Sequence, residues 1–294
     1  MTPNRPEVLN RVFVVGCPRS GTTLVQAMTS AHPRVFSLPE TFFFTRAFPR
    51  RWITRHLSWP SIRVRNHFEQ YLRDIGRSDL ASRYRIKIFQ RNYCRPFVSV
   101  MDHLASDELS PIWLEKTPGH LFCIDEITKC IPSAKFIHVM RNGLDVVNSL
   151  YKATNIDSDK YAKFRRYKFL RGKFRGLTVP ECVEQWNNAL RVVTDYYGQN
   201  NHITVWYERL TTNPAPELQG LCRFLDLDFD DNMLNPSLSF HKIVRPDEPW
   251  KANNAKRLLR KNAPGNSDSS ALSKEDKRLV EKTLLPVPAR LLTD

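Results

Sequence analysis

The 294-residue chain lacks the features that define several large protein classes. Its 6 cysteines include no Cys-x-x-Cys pair, and no histidines accompany them at zinc-ligand spacing. No stretch approaches the roughly 18 consecutive apolar residues of a membrane span, and the N-terminus shows no signal-peptide core. There are no internal repeats. With 41% hydrophobic residues the chain can bury a full core. We therefore expect a cytoplasmic, metal-free globular protein whose cysteines are buried thiols in a reducing compartment.

Acidic residues are in deficit. The chain carries 45 Lys/Arg against 30 Asp/Glu, a formal net charge of +15. The excess lies in residues 50–100, with twelve Lys/Arg and three acids, and in residues 160–175, with eight Lys/Arg, no acid and interleaved aromatic residues. Such a surplus of positive charge favours an acidic acceptor substrate or an anionic membrane surface as partner. A non-catalytic protein that binds nucleic acid or an anionic surface is an open alternative. The plainer interpretation of residues 160–175 is a helix with one packed and one solvated face.

The most informative stretch is the apolar run Val12–Val15 followed by Gly-Cys-Pro-Arg-Ser-Gly-Thr-Thr. A strand, a small-residue loop and a helix in this order form a cradle for a phosphate group. The spacing of Gly16 and Gly21 is that of nucleoside-triphosphate loops, but Thr22 stands where their lysine would be. Arg19 supplies the positive charge instead. This pattern favours a compact phosphate bound without a metal, with a degenerate-loop kinase or nucleotide hydrolase as the enzymatic alternative.

The same strand-then-helix pattern recurs along the chain and predicts an α/β fold, a mostly parallel central sheet flanked by helices. Further strands are predicted at residues 35–38, 113–116, 135–141 and 202–208, and helices at 144–152, at 181–200 and from 213 onward. Ligands of such sheets lie at the carboxyl ends of the strands. Arg19, Lys116 and Arg141 each follow a predicted strand, so we expect them to lie at one edge.

We expect residues 1–294 to form a single domain. Residues 42–110 and 153–180 are predicted to be mainly helical, basic insertions over the carboxyl edge of the sheet, where they would shape an acceptor pocket. Residues 241–294 form the C-terminal segment of this domain.

These motifs resemble, in order and spacing, sulfotransferases that use 3′-phosphoadenosine 5′-phosphosulfate (PAPS). The quoted loop, the segment Trp113–Pro118, the pair Arg141 and Ser149, and Tyr207-Glu208 are similar to those of bacterial sulfotransferases and of the tyrosylprotein sulfotransferase catalytic domain. The resemblance covers most of the chain. It implies a P-loop-like 5′-phosphosulfate-binding loop, a metal-free site, and in-line sulfuryl transfer from PAPS to an acceptor hydroxyl with release of 3′,5′-bisphosphoadenosine.

The resemblance also implies catalytic roles. Glu40 resembles the catalytic glutamate of tyrosylprotein sulfotransferases and would act as general base, while Arg19 and Lys116 would stabilise the leaving group. Cytosolic sulfotransferases place a catalytic histidine directly after Lys-Thr, where this chain has Pro118. That departure favours Glu40, and His120 is a second candidate or a packing and orienting residue.

Binding roles follow in the same way. Arg141 and Ser149 resemble the pair that binds the 3′-phosphate, and Tyr207 the tyrosine near the adenine. The resemblance also implies that residues 241–294 cover the cofactor and the acceptor, with Arg245, Trp250 and Lys251 as candidate contacts. The expected cofactor-binding residues are thus Arg19, Ser20, Gly21, Thr22, Thr23, Leu24, Arg141, Ser149, Tyr207 and Lys251. The acceptor is expected to be a carbohydrate, lipid or natural-product hydroxyl rather than a protein tyrosine.

Overall fold

A five-stranded sheet organises the chain. The computed structural model describes residues 7–48, 61, 63–84, 86, 93–155, 176–244 and 270–292. The strands are β1 Asn10–Gly16, β2 Val35–Ser37, β3 Ile112–Lys116, β4 Ala134–Met140 and β5 His202–Trp206. Their spatial order is β2-β3-β1-β4-β5, and every neighbouring pair runs parallel. The predicted α/β fold with a parallel sheet is confirmed. The chain leaves β1 toward one edge and β4 toward the other, so the topological switch point lies between these two strands.

Helices flank the sheet on both faces. In chain order the described α-helices are α1 Thr22–Ser30, α2 Phe43–Ala47, α3 Arg63–Asp74, α4 Ser78–Arg83, α5 Arg95–Asp107, α6 Ile124–Cys130, α7 Gly143–Asn155, α8 Val179–Tyr196, α9 Tyr207–Thr212, α10 Pro214–Leu225, α11 Phe240–Ile243 and α12 Lys274–Thr283. Short 3₁₀ helices span Pro118–Cys123, Asp231–Leu234, Pro236–Leu238 and Ala289–Leu291. Within the described ranges, none of the helices is long and apolar enough to cross a membrane.

The strands read as continuous apolar runs because both faces of the sheet are covered. Along β1, Val12 and Val14 pack into one core with α1 and α10, whereas Phe13 and Val15 pack into the other. The second core is aromatic: the rings of Phe43 and Phe97 stack at 4.3 Å between centroids. Helices α2 and α5, which carry these rings, therefore belong to the aromatic core that also contains Phe13 and Val15.

Two sequence-based expectations are wrong. Cys94 and Cys130 form a disulfide that joins the start of α5 to the end of α6, with their Cα atoms 6.2 Å apart. Packing of the two helices brings these cysteines together across 36 residues, a contact that sequence spacing does not encode. Cys17, Cys123, Cys182 and Cys222 are buried thiols, as expected. The predicted strand at 202–208 ends at Trp206, because Tyr207 begins α9.

Candidate active site

The loop between β1 and α1 has the geometry of an anion cradle. The backbone N–H and the hydroxyl of Ser20 both donate to the Cys17 carbonyl, at 3.1 and 2.7 Å, which closes the turn. Arg19 and Gly21 lie in the left-handed region, with φ of 75° and 103°. At Gly21 no described side chain caps α1. The amino end of the helix, with its N–H groups and positive dipole, therefore faces the loop.

Gly21 is required by a close approach as well as by its conformation. A Cβ atom there would lie 2.3 Å from Cδ2 of Tyr207. The guanidinium carbon of Arg141 lies 4.5 Å from the centroid of the same ring. The structure therefore places Tyr207, which is buried, against both the phosphate loop and Arg141. An aromatic face at this distance also stabilises the cation.

Arg141 follows β4 at the switch point, and its surroundings fix its backbone. Its carbonyl accepts a hydrogen bond of 3.1 Å from the Trp186 indole N–H, and the next backbone N–H, of Asn142, donates to Glu208 at 2.9 Å. Nη2 donates to Asp145 at 3.1 Å. Nε is buried and has no hydrogen-bond partner among the described residues.

A buried guanidinium N–H without an acceptor is costly. A phosphate oxygen is the acceptor that a guanidinium fork suits best. The arginine therefore fits the phosphate ligand that the sequence predicts.

Arg19 and Ser149, which the sequence assigns to the same ligand, are brought together. The Nε of Arg19 donates to the Ser149 hydroxyl at 3.1 Å. This bond links the phosphate loop to α7, the helix that follows Arg141. Predicted donor-site residues that follow β1 and β4 thus lie in contact with each other.

The predicted general base lies on the other side of the loop. Glu40, in the segment after β2, forms an ion pair with Lys116, the last residue of β3. Both side chains are buried, and Lys116 Nζ also donates to the Thr23 hydroxyl at 3.2 Å. Lys116 therefore contacts both the predicted base, Glu40, and Thr23 at the start of α1.

The remaining predicted residues differ in how the structure places them. The Leu24 side chain packs into the core with Val12 and Val14, and its N–H donates to the Gly21 carbonyl at 2.9 Å. The side chain of Thr22 is buried at the start of α1. The candidates Arg245, Trp250 and Lys251, and the basic segment 160–175, lie outside the described residues. Across the described part of the chain, no group of three or more His, Cys, Asp or Glu side chains is placed to hold a metal.

One buried residue beside the candidate site, Glu115, is not among those predicted from the sequence. Its fully buried carboxylate points to the face of the sheet opposite Lys116. Oε1 accepts the N–H and hydroxyl of Thr41, at 3.1 and 2.8 Å, and the Thr117 hydroxyl at 2.6 Å, while Oε2 accepts His120 Nδ1–H at 2.8 Å. A glutamate inside an apolar strand run was the available signal.

Burial by itself raises the pKa of Glu115, but the hydrogen-bonded His120 imidazole and the hydroxyls of Thr117 and Thr41 outweigh it, so the pKa is lowered. The group is therefore a carboxylate at neutral pH. His120 is fully buried at this face of the sheet, where it binds Glu115 and the Phe44 N–H. The Thr117 hydroxyl donates to Glu115 and makes no capping hydrogen bond to the 3₁₀ helix that follows.

Comparison with known proteins agrees with this geometry. Residues 11–231 match the profile of the sulfotransferase family. Protein-tyrosine sulfotransferase A of Caenorhabditis elegans is 25% identical over 228 residues, which cover 76% of this chain and 52% of the relative. Protein-tyrosine sulfotransferase 1 of Homo sapiens is 24% identical, covering 76% and 53%. The chain spans about half the length of these curated relatives. The solved sulfotransferase domain from the curacin biosynthetic pathway shares the fold, with a TM-score of 0.50, 17% identity and coverage of 96% of this chain and 99% of that one.

Proposed function

The chain belongs to the sulfotransferase family, and we propose that it transfers a sulfuryl group from PAPS to a hydroxyl of its acceptor by in-line displacement. The observation that carries this proposal is the contact series from Glu40 through Lys116 to Thr23. It joins a carboxylate suited to deprotonate an acceptor to a cation beside the phosphate loop. A general base for the acceptor proton and a cation for the charge on the leaving oxygen are what this displacement needs.

The donor site supports the nucleotide part of the proposal. Arg19 and the amino end of α1 belong to the loop region where the 5′-phosphosulfate would lie. Arg141, with its buried Nε, and Ser149, which accepts a hydrogen bond from Arg19, would take the 3′-phosphate. Thr22 in place of the lysine of triphosphate loops disfavours a magnesium–nucleotide site.

In the proposed reaction the acceptor oxygen attacks sulfur while Glu40 takes up its proton. The sulfur–oxygen bond to the 5′-phosphate breaks, and its electron pair stays on the phosphate oxygen of 3′,5′-bisphosphoadenosine. Lys116 and Arg19 offset the negative charge that develops on that oxygen, and the hydroxyls of Thr22 and Thr23 donate to it. No proton or electron is left over, since the carboxyl group returns the proton to water after product release.

The acceptor is a compound with an alcohol or phenol hydroxyl. The curated relatives are named for protein tyrosine, and at 24–25% identity the walls of the acceptor pocket are free to differ. We therefore expect a carbohydrate, lipid or natural-product hydroxyl, and tyrosine peptides belong in the same acceptor panel.

Calorimetric titration with 3′,5′-bisphosphoadenosine, without metal, tests the donor site directly. We expect binding by the wild type, binding weaker by about 10- to 100-fold in Arg141→Ala, since hydrogen bonds to charged groups contribute about 1.5–3 kcal/mol, and wild-type binding in the surface control Arg191→Ala. Magnesium–ATP titrated in parallel should not bind. Binding of magnesium–ATP without binding of the bisphosphate would replace the proposal with a kinase or nucleotide hydrolase.

A further inference from the structure

We infer that Glu115 is a positioning residue for sulfuryl transfer, which holds the general base Glu40 and Lys116 in register from the opposite face of the sheet. The inference rests on the proposed function, because it assigns Glu40 and Lys116 their catalytic roles. Glu115 itself lies in the core and touches neither reactant.

Strand alternation creates this arrangement. Glu115 and Lys116 are consecutive, so their side chains leave β3 on opposite faces. Glu40 and Thr41 are also consecutive, in the segment that follows β2, the neighbour of β3. Lys116 binds the carboxylate of Glu40 on one face, while Glu115 binds the N–H and hydroxyl of Thr41 on the other. Two adjacent strand residues thus clamp two adjacent residues of the loop that carries the base.

The hydrogen-bond directions show how the carboxylate orders its surroundings. The Phe44 N–H donates to His120 Nε2 at 3.1 Å, so Nε2 carries the lone pair and Nδ1 carries the proton that goes to Glu115. The Thr117 hydroxyl donates to Glu115 and in turn accepts the Phe42 N–H at 3.2 Å. The buried carboxylate of Glu115 therefore orients the Thr117 hydroxyl and the His120 imidazole, which in turn accept the backbone N–H groups of Phe42 and Phe44.

The rest of the loop is held just as firmly, although residues 38–42 have no regular secondary structure. Three side chains from α1 and α3 hold its carbonyls: Gln26 donates to Leu38 at 2.8 Å, Tyr71 to Pro39 at 3.0 Å and His67 to Thr41 at 2.8 Å. The carbonyls are bound from these helices and the amides from the Glu115 group. The amides therefore depend on the Glu115 group, and a change there would alter the position of Thr41 and of its neighbour Glu40.

Glu115→Gln tests the inference because it preserves shape and removes the charge. The amide nitrogen of the glutamine would face His120 Nδ1–H, so that two hydrogen-bond donors would meet. His120 cannot move its proton to Nε2 without losing the hydrogen bond that Nε2 accepts from the Phe44 N–H. A displacement of about 1 Å at a catalytic group can cost about 100-fold in rate. We expect kcat to fall about 10- to 100-fold, while the acceptor KM and the dissociation constant for 3′,5′-bisphosphoadenosine change by less than about threefold.

Asp102→Asn is the matched structural control. Asp102, on α5, accepts hydrogen bonds from Arg11 at 2.8 and 3.0 Å and from the Trp113 indole at 2.8 Å, on the same face of the sheet. Among the described residues, the hydrogen bonds of Asp102 go to Arg11 and Trp113 and not to the Glu40 loop. We expect this variant to lose thermal stability and to keep wild-type kcat below its melting temperature.

Thr41→Val and Thr41→Ser give a milder second test. Valine removes the hydroxyl that donates to Glu115 and retains the backbone N–H, so kcat should fall less than in Glu115→Gln. Serine keeps the hydroxyl and should restore kcat. A kcat that follows the methyl group rather than the hydroxyl would overturn the inference.

The other outcomes are equally decisive. If Glu115→Gln keeps wild-type kcat, or loses bisphosphate binding to the same extent as turnover, Glu115 is a structural residue only. Crystal structures of the wild type and Glu115→Gln decide the geometry without any turnover: the inference requires Glu40 to leave Lys116 in the variant, and an unmoved pair refutes it. A wild type that neither binds the bisphosphate nor transfers sulfuryl groups refutes the proposed function instead, whatever the crystal structures show.

Discussion

Replacing Gly21 with alanine tests whether the phosphate loop, Tyr207 and Arg141 form one packed unit. The added Cβ would lie 2.3 Å from Cδ2 and 2.9 Å from Cε2 of Tyr207, whereas ordinary contacts begin at 3.4 Å. The ring must therefore move by about 1 Å, in a core that is packed like an organic crystal. Because Arg141 lies over the same ring, its guanidinium would move as well.

Two other glycines separate this clash from the backbone effect. Gly76 and Gly198 also have positive φ, 75° and 81°, and no described atom lies within 4 Å of a Cβ built on either. A left-handed backbone costs an alanine about 1–2 kcal/mol, and overpacking adds about 1–3 kcal/mol. The free energy of unfolding should fall by about 1–2 kcal/mol in Gly76→Ala and Gly198→Ala, and by about 2–5 kcal/mol in Gly21→Ala.

Denaturant titration and calorimetry with 3′,5′-bisphosphoadenosine measure both consequences. Gly21→Ala should weaken binding at least about tenfold, by displacing Arg141, since each 1.4 kcal/mol is a factor of ten. Gly76→Ala and Gly198→Ala should leave the affinity for 3′,5′-bisphosphoadenosine unchanged. Adding Tyr207→Ala should relieve the clash, so the double variant should be more stable than the sum of the single losses predicts. If Gly21→Ala matches Gly76→Ala in stability and in binding, the packed unit does not exist.

Further predictions concern the base, a histidine pair and the disulfide. Glu40→Gln should lower kcat by about 10² to 10⁴-fold and leave bisphosphate affinity near that of the wild type; comparable losses in both would show a structural role. Burial lowers the pKa of His138 to about 3 and that of His202 to about 4, below the ordinary value of about 6.5. As pH falls, these histidines therefore take up protons in the unfolded chain at a higher pH than in the folded chain. The free energy of unfolding should then fall as pH drops from about 6.5 to 4, by at most about 1.4 kcal/mol per pH unit for each histidine. A urea titration series should show this slope in the wild type and not in His138→Leu/His202→Phe. Cys94→Ser should lower the free energy of unfolding by about 4 kcal/mol, as expected for a disulfide that closes a 36-residue loop. Thiol labelling of the denatured, unreduced wild type should find four reactive cysteines. Six reactive cysteines would refute the Cys94–Cys130 bond.

The sheet could be predicted because its strands are buried on both faces. Such strands are unbroken runs of β-branched and aromatic residues ended by glycine or a charge, as at Val12–Val15. The boundary after Trp206 was harder, since Tyr207 has a high β propensity although it begins a helix. Local preference does not decide such a position; packing of the ring beneath the phosphate loop does.

The placement of the candidate site residues could be predicted as far as strand ends reveal it. The rule that ligands lie at the carboxyl ends of parallel strands places Arg19, Lys116 and Arg141 together, and the structure brings each of them to that edge. What holds them could not be predicted. Glu115 binds Thr41 across 74 residues of sequence, and no local pattern records such a contact. A charge within an apolar strand indicates that a partner exists without identifying it.

The proposed donor half of the site is held in the same way as the proposed acceptor half. At the end of β3, two consecutive residues clamp the loop that carries Glu40, the proposed base. After β5, Tyr207 lies under Arg141 while Glu208 accepts the N–H of Asn142. In each case a residue pair from one strand end holds a residue pair from the neighbouring strand end. Because neighbouring parallel strands keep a fixed register, each clamp transmits the rigidity of the sheet to loops that have none of their own. The two halves can therefore stay aligned across the gap where the sulfuryl group would pass.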